Sequence, residues 1–189
     1  MNVGKTQTDK RTRLIETAMK LAYKQGFRES SLADIAKAAY VPVGNVYYYF
    51  KTKEELGEAV VERRLEEFRA FRAKMGRLSS PKERLFVFVD RIQRNKEQLA
   101  RGGCPLGGLC AELHREGGAL AKKSAELYTE PIGWLEEQFR AAGHEKDSRE
   151  LALHLFCAFQ GMAAVAHGAN DPDLVVMEVK RLKDWITAL

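Results

Sequence analysis

The chain has few of the features that mark secreted, membrane-spanning or disulfide-linked proteins. Its 189 residues include three cysteines, an odd number that argues against a disulfide framework and for a reducing cytoplasm. No apolar run approaches the roughly 18 residues of a membrane-spanning helix, and residues 1–7 lack the apolar core of a signal peptide. We therefore expect a cytoplasmic protein with no membrane partner.

The sequence also lacks the strict polar–apolar alternation that is typical of β-strands. Apolar residues recur instead at helical spacing, which predicts an all-α protein of about nine helices. The first helix is expected over about 9–25, the second is capped by Ser30 or Ser31, and the third begins at Pro42. A capping box at Thr52 opens a long fourth helix that runs toward Met75. Five more helices are expected over about 81–100, 105–115, 118–142, 147–168 and 172–188.

Positive charge is concentrated at one end of the chain. The net charge is +5, yet residues 1–53 alone hold ten Lys or Arg against four Asp or Glu. The remaining residues hold 21 against 22, so all the excess positive charge lies in the first segment. Such a segment is suited to neutralising phosphates. We expect a DNA-binding domain over 1–53 and a helical regulatory and dimerisation domain over 54–189.

One motif within residues 31–53 indicates how that segment acts. It predicts two short helices joined by a tight turn, the second rich in tyrosine and followed by lysines. The run resembles the DNA-binding signature of TetR-type transcriptional regulators. The positions in register are Asp34-Ile35-Ala36, Ala39, Val41, Gly44, Val46-Tyr47, Tyr49-Phe50, Thr52-Lys53 and Leu56. The resemblance implies a helix–turn–helix, a homodimeric repressor, a palindromic double-stranded DNA operator and a small-molecule inducer.

Residues around the predicted recognition helix are the candidates for DNA contact. Asn45 has the amide donor and acceptor pattern that suits adenine, and Val43 is placed to touch a thymine methyl group. Gly44 lacks a Cβ and so allows close approach. Phosphate contacts are assigned to the hydroxyls of Tyr48 and Tyr49, whereas Tyr47 and Phe50 are expected to face the core. Further backbone-contact candidates are Ser30, Ser31, Lys37 and Lys53.

The motif departs from the TetR pattern at the turn between the two helices. Tyr40 replaces the usual turn glycine, so either the turn keeps φ below zero or Tyr40 is strained. Pro42 and Val43 stand where a small hydroxyl residue and often a basic residue occur. These differences leave the family resemblance intact.

The last two predicted helices are rich in apolar residues. The resemblance implies that they form a four-helix bundle with the same pair of a second subunit, and the other reading is that they close the monomer core. The interface residues predicted on this basis are Phe156, Phe159, Met162, Ala163, Val179, Leu182 and Trp185.

A glycine-rich segment around Cys104 is the candidate sensing site. Cys104 lies at the start of a predicted helix, where the helix dipole favours a thiolate. The pattern Gly103-Cys104-x-x-Gly107 followed by Glu112-Leu113 resembles a TetR-type subgroup that includes sensors of electrophiles and oxidants. A pocket is expected near Leu106, Tyr128 and Trp134. The alternatives are a small buried structural cysteine and, more distantly, a cytoplasmic enzyme that uses Cys104.

Other chemistry is not expected from the sequence. The pairs Cys110 with His114 and His154 with Cys157 share helix faces, but each supplies too few ligands for zinc, so core positions are preferred. We expect no catalytic residues, no metal and no cofactor.

Overall fold

The computed structural model describes the backbone from Val3 to Leu189, and its side chains from Asp9 onward except that of Glu116. The described residues form helices joined by short turns, in agreement with the predicted all-α class. In chain order they are α1 (Val3–Gln25), α2 (Leu32–Ala38), α3 (Val43–Tyr49), α4 (Lys53–Met75), α5 (Pro81–Arg94), α6 (Lys96–Gly102), α7 (Pro105–Glu116), α8 (Gly118–Ser124), α9 (Glu126–Ala141), α10 (Ser148–Ala169) and α11 (Asp173–Ala188).

The described part of the chain has eleven helices because two of the nine predicted ones are each interrupted by one residue. Asn95 separates α5 from α6, and its amide donates a hydrogen bond to the Arg91 carbonyl at 2.7 Å. Ala125 separates α8 from α9 directly after Ser124, whose hydroxyl donates to the Ala121 carbonyl at 2.8 Å. Side chains that bond to carbonyls of the preceding turn compete with the regular helical ladder.

The predicted end of the first helix and the predicted caps of the second and fourth helices are confirmed, whereas α1 begins at Val3 and not near residue 9. Gly26, at φ +95°, ends α1 in a conformation that disfavours side chains. Ser31 and Asp34 form a complete capping box on α2. At α4 the Thr52 hydroxyl accepts from the Glu55 N–H at 3.2 Å, while the Glu55 carboxylate reaches back to the Lys51 N–H at 2.7 Å.

The chain divides into two compact units. The first unit takes in the chain up to Glu66 together with Gly108–Leu127, and the second takes in Glu67–Gly107 and Tyr128–Leu189. The first unit therefore contains the predicted 1–53 domain together with later segments. A separate DNA-binding domain that ends at residue 53 stays a prediction.

In the second unit the core is formed by aromatic and aliphatic side chains. Helix α11 packs against α5 and α10, and α10 also packs against α6. The Trp134 ring lies within about 6 Å of Phe68, Phe71 and Phe88, which pack around it edge-on or tilted.

Candidate nucleic-acid interface

The helix–turn–helix of the first unit is built on a small buried core. Ile35 and Ala36 of α2, Val46 of α3, and the flanking Val41 and Phe50 have at most 4% of their surface exposed. This burial fixes which faces of the two helices turn to solvent. The prediction that Phe50 belongs to the core is confirmed, and Arg11 lies over its ring at 5.3 Å.

The outward face of α3 carries the residues predicted to read bases. Val43 is 45% exposed, Asn45 is half-buried, and a Cβ placed on Gly44 would meet no atom within 4 Å. The first turn of α3 thus offers an apolar group, an amide and open backbone, which together are able to contact base edges.

The tyrosines of α3 differ in their surroundings. Tyr48 is 64% exposed, and Tyr49 is half-buried with its ring edge-on to Tyr48 at 5.1 Å. The prediction that Tyr47 faces the core is wrong, because its side chain is 50% exposed. Val46 and Phe50 already fill the inward face, so Tyr47 turns outward beside Tyr48.

The serines before α2 have structural roles that the sequence did not separate. Ser30 was a candidate for phosphate contact, but it is fully buried and its hydroxyl donates to the Gly26 carbonyl at 2.8 Å. A buried hydroxyl has no surface for DNA, so this assignment is corrected. Ser31 is exposed and caps α2, and Lys37 is exposed in the last turn of that helix.

The lysines that follow α3 contact the backbone of the first unit. The Lys53 ammonium donates to the Arg28 carbonyl at 2.5 Å and lies 5.2 Å from the centre of the Phe27 ring. The Lys51 ammonium donates to the Tyr47 carbonyl at 2.8 Å. Lys53 therefore supports the loop between α1 and α2, in addition to its predicted role with phosphate.

The sequence left open whether the turn between α2 and α3 keeps a negative φ at Tyr40 or strains this residue. The structure has the strained form. Tyr40 has φ +54°, its N–H donates to the Lys37 carbonyl, and the Val41 N–H donates to the Ala36 carbonyl. These two bonds define a Schellman motif, in which glycine normally occupies the position of Tyr40.

An acidic side chain that sequence reasoning missed anchors the start of the helix–turn–helix. The Glu112 carboxylate of α7 accepts hydrogen bonds from the backbone N–H groups of Phe27 and Arg28, at 2.8 and 2.5 Å. No local signal indicates this contact, because 84 residues separate Glu112 from Arg28.

In the second unit Cys104 is buried among the residues predicted to lie near it. Its Sγ accepts hydrogen bonds from the Gly107 N–H at 3.4 Å and from the Gln160 amide at 3.5 Å. The Tyr128 hydroxyl donates to the Gly107 carbonyl at 3.5 Å, and a Cβ on Gly107 would lie 2.5 Å from Gln160 Oε1. Leu106 is half-buried against the same core.

Trp134 lies at a different place in the second unit. It lines a cleft of about 400 Å³. The other residues around this cleft are Arg69, Arg72, Ala73, Gly76, Arg84, Glu137 and Gln138. Arg69 and Arg72 also pair with Glu130. The lining therefore combines an indole surface with guanidinium groups.

The Cys110 and His114 pair is part of a small polar cluster in the first unit. His114 Nδ1 lies 4.0 Å from Cys110 Sγ and 3.4 Å from the buried Ser124 hydroxyl. Burial raises the pKa of the Cys110 thiol, which disfavours the thiolate that a nucleophile or metal ligand requires. No group of three potential metal ligands occurs among the described side chains.

The residues predicted to form a dimer interface lie mostly inside the second unit. Phe156, Met162, Ala163, Val179 and Leu182 have at most 6% of their surface exposed, and Phe159 and Trp185 are half-buried. The five buried side chains close the core of their own protomer, so their assignment to an interface is corrected, whereas Phe159 and Trp185 stay predicted interface residues. Apolar periodicity located the inward faces of α10 and α11.

A second stripe along α10 remains exposed. Leu153 is 37% exposed and Val165 60%, and Met177 of α11 is 55% exposed. The small or apolar exposed residues between them on α10 are Cys157, Gly161 and Ala164. The α10 helix is long and apolar enough to cross a membrane by length and composition alone, although a third of that stretch is buried within the protein.

A basic helix–turn–helix with an exposed recognition helix defines a class of DNA-binding regulatory proteins. The sequence model "Bacterial regulatory proteins, tetR family" matches residues 14–60, which include α2 and α3. Residues 14–60 thus match the DNA-binding segment of TetR-family proteins.

Relatives of known name agree with this assignment. The HTH-type transcriptional repressor NemR of Escherichia coli is 31% identical over 115 residues, which span 59% of this chain and 55% of NemR. The repressor ComR of the same organism is 26% identical over 96% of this chain and 91% of its own length. The NemR match thus spans about half of that relative.

Solved structures have the same fold. A TetR regulator from Legionella pneumophila has a TM-score of 0.80 at 24% identity, over 92% of this chain and 94% of its own. The reduced form of E. coli NemR has a TM-score of 0.73 at 20% identity, over 93% and 96%. At these identities the likeness shows the fold.

Proposed function

We propose that this protein is a homodimeric transcriptional repressor that binds a palindromic DNA operator and is released from it by a small-molecule inducer. The observation that carries the proposal is the open first turn of α3, where Val43, Gly44 and Asn45 face solvent above a buried core. The positive charge of residues 1–53 supports it independently, because phosphate neutralisation drives DNA affinity. The protein acts in the cytoplasm, with no membrane partner and no enzymatic activity.

Base reading is assigned to the first turn of α3. The Asn45 amide is suited to an adenine edge, the Val43 side chain to a thymine methyl group, and Gly44 to close backbone approach. Phosphate contacts are assigned to the hydroxyls of Tyr48 and Tyr49 and to the exposed Lys37. Ser31 caps α2, and Lys53 stabilises the loop that precedes it. Both residues are also assigned contacts with the DNA backbone.

Dimerisation is assigned to the exposed stripe of α10. The stripe is apolar, and its small residues Cys157, Gly161 and Ala164 permit the close approach of a second helix. A second copy of this chain is the proposed occupant, since a two-fold dimer presents two recognition helices to two half-sites. Phe159 and Trp185, which are half-buried, are placed to contribute at the edges of the interface.

The inducer acts by preferring the protein conformation that does not bind the operator. The cleft beside Trp134 is the proposed ligand site, because its volume of about 400 Å³ suits a small molecule. Leu106 and Tyr128 lie instead around Cys104 and belong to the second candidate for sensing.

A thiol sensor at Cys104 is the second candidate function. The Gly107 N–H and the Gln160 amide both donate to Sγ and so offset part of the cost of burying a negatively charged sulfur, which supports this candidate. If it holds, Cys104→Ser abolishes release of DNA by an alkylating electrophile while Cys110→Ser keeps it. Release of the Cys104→Ser protein at the normal electrophile concentration would eliminate the candidate.

The function is tested by selecting genomic fragments that bind the full-length protein. We expect recovered fragments to share a two-fold symmetric sequence, and Asn45→Ala to lose the preference for that sequence while keeping weak general DNA binding. Thr129→Ala, an exposed change on α9, is the matched control and should recover the same fragments. Recovery of no common sequence by the unaltered protein would contradict the proposal.

A further inference from the structure

Tyr40 occupies a backbone conformation that is unfavourable for its side chain. Its φ of +54° places it in the left-handed region, where a Cβ crowds the neighbouring carbonyl and where a bulky residue is a marked outlier. The Schellman motif at the end of α2 imposes this conformation through the bonds from Tyr40 and Val41 to Lys37 and Ala36. Glycine would meet the same requirement without strain.

Packing does not compensate for this strain. Tyr40 is 90% exposed, the highest value among the large hydrophobic side chains that the structure describes. The other described non-glycine residue with positive φ is Asn170, at +50°, which ends α10. Asparagine tolerates that region well, whereas an aromatic residue does not. The ring of Tyr40 therefore adds strain and little contact to the isolated protein.

The surroundings of Tyr40 point to what the side chain contacts. Among the side chains that the structure describes, eight large hydrophobic ones are exposed, and half of them lie in the nine-residue stretch 40–48 of the helix–turn–helix. They are Tyr40, Val43, Tyr47 and Tyr48. In such a motif the first helix crosses the DNA backbone and the second enters the major groove, so the connecting turn passes beside phosphates. Tyrosine hydroxyls are common donors to phosphate oxygens.

We propose that Tyr40 is an additional DNA-contact residue whose phenol hydroxyl donates a hydrogen bond to a phosphate oxygen of the operator backbone. The proposal rests on the proposed function and extends the contact surface from α3 to the turn that precedes it. Strain retained at a solvent-exposed position is typical of residues that a protein keeps for binding.

Substitution of Tyr40 separates binding from stability. Tyr40→Gly should raise the melting temperature, because glycine relieves the strain, and should weaken binding to a fragment recovered by genomic selection by about tenfold. Tyr40→Phe should keep the melting temperature and lose most of the same affinity, since only the hydroxyl is removed. The salt dependence of binding should stay unchanged in both, because tyrosine neutralises no phosphate.

Asn170→Gly is the matched control, because it places glycine at the other described non-glycine residue with positive φ. Asn170 lies in the second unit, outside the helix–turn–helix. It should bind the fragment as the unaltered protein does. If Tyr40→Gly and Tyr40→Phe bind like the unaltered protein, the proposal is overturned while the repressor assignment stands. If the unaltered protein binds no fragment, the proposed function fails and the role of Tyr40 fails with it.

Discussion

Glu112 of α7 accepts a hydrogen bond from the backbone N–H of Phe27, with 2.8 Å between oxygen and nitrogen. The same carboxylate accepts a hydrogen bond from the Arg28 N–H, and the Lys53 ammonium donates one to the Arg28 carbonyl. A Cβ on Gly26 would lie 3.3 Å from this carboxylate. The loop that leads into α2 is therefore held from two sides, by an acidic and by a basic residue.

Removal of the Glu112 carboxylate should destabilise the protein. Glu112→Ala leaves two backbone donors without their acceptor, which costs about 2 kcal/mol in the free energy of unfolding, and Glu112→Gln should cost less because its carbonyl oxygen still accepts. Urea denaturation at one protein concentration measures the difference. Amide exchange at Phe27 and Arg28 should become faster in Glu112→Ala.

Glu58→Ala, an exposed change on α4, is the control for Glu112 and should unfold like the unaltered protein. Equal stability of Glu112→Ala and the unaltered protein, with unchanged exchange at Phe27, would show that the carboxylate does not anchor this loop.

The capping box of α2 should make stability depend on acid pH. Hydrogen bonds from the Ser31 hydroxyl and backbone hold the pKa of Asp34 below its ordinary value of 3.8. A carboxyl with a lowered folded-state pKa stabilises the protein above its unfolded-state pKa and loses that effect as the pH falls through the folded-state value. At pH 7 the melting temperature of Asp34→Asn should therefore be lower than that of the unaltered protein. The gap between the two melting temperatures should narrow below pH 3.8.

The Asp34 comparison is made by thermal denaturation down to the lowest pH at which both proteins are folded. Thr129→Ala, an exposed change on α9 that removes no titratable group, serves as control, with no gap that closes in this range. A gap between Asp34→Asn and the unaltered protein that stays constant down to that pH would contradict the assigned cause.

The exposed stripe of α10 should control the oligomeric state. Val165→Arg places a charge on a residue that is 60% exposed, so it should leave the protomer folded and convert a dimer to a monomer. Light scattering after size-exclusion chromatography gives the mass, and circular dichroism gives the helix content. Thr129→Arg on α9 should remain dimeric, and a dimer of unchanged affinity in Val165→Arg would place the interface elsewhere.

Two glycines of the first unit should respond in opposite ways to alanine. A Cβ on Gly57 would lie 2.7 Å from Leu120 and 3.0 Å from the Phe27 ring, so Gly57→Ala should destabilise the protein by about 1 kcal/mol. Gly44 has open space, so Gly44→Ala should stabilise α3 by about 0.5 kcal/mol and still weaken DNA binding. Thermal denaturation and anisotropy titrations measure both, and a more stable Gly57→Ala would refute the packing argument.

The sequence was sufficient to predict most of the helices and the position of the helix–turn–helix, because both depend on local signals. Helical periodicity located α10, and the Ser31–Asp34 capping box located the start of α2. The interruptions at Asn95 and Ala125 were missed because they accompany single side chain-to-backbone bonds. Periodicity gives no warning of such bonds.

Residue-level assignments failed where tertiary packing decides. An apolar residue such as Leu182 fits a protomer core and a dimer interface equally well in a sequence, and only its burial shows the first. For the same reason Ser30, which was predicted to contact phosphate, is buried, and Tyr47, which was predicted to face the core, is exposed. Glu112 could not be found from the motif, since its partners are distant in the chain.

The central claim, sequence-specific DNA binding by the helix–turn–helix, is tested most directly by titrating a labelled fragment from the genomic selection at several salt concentrations. Fluorescence anisotropy should show saturable binding whose log affinity falls linearly with log salt, and Lys37→Ala should reduce that slope by about one per protomer in contact. A scrambled duplex of equal length should bind far more weakly. Equal affinity for the selected and scrambled duplexes, or an affinity that does not change with salt, would contradict the account.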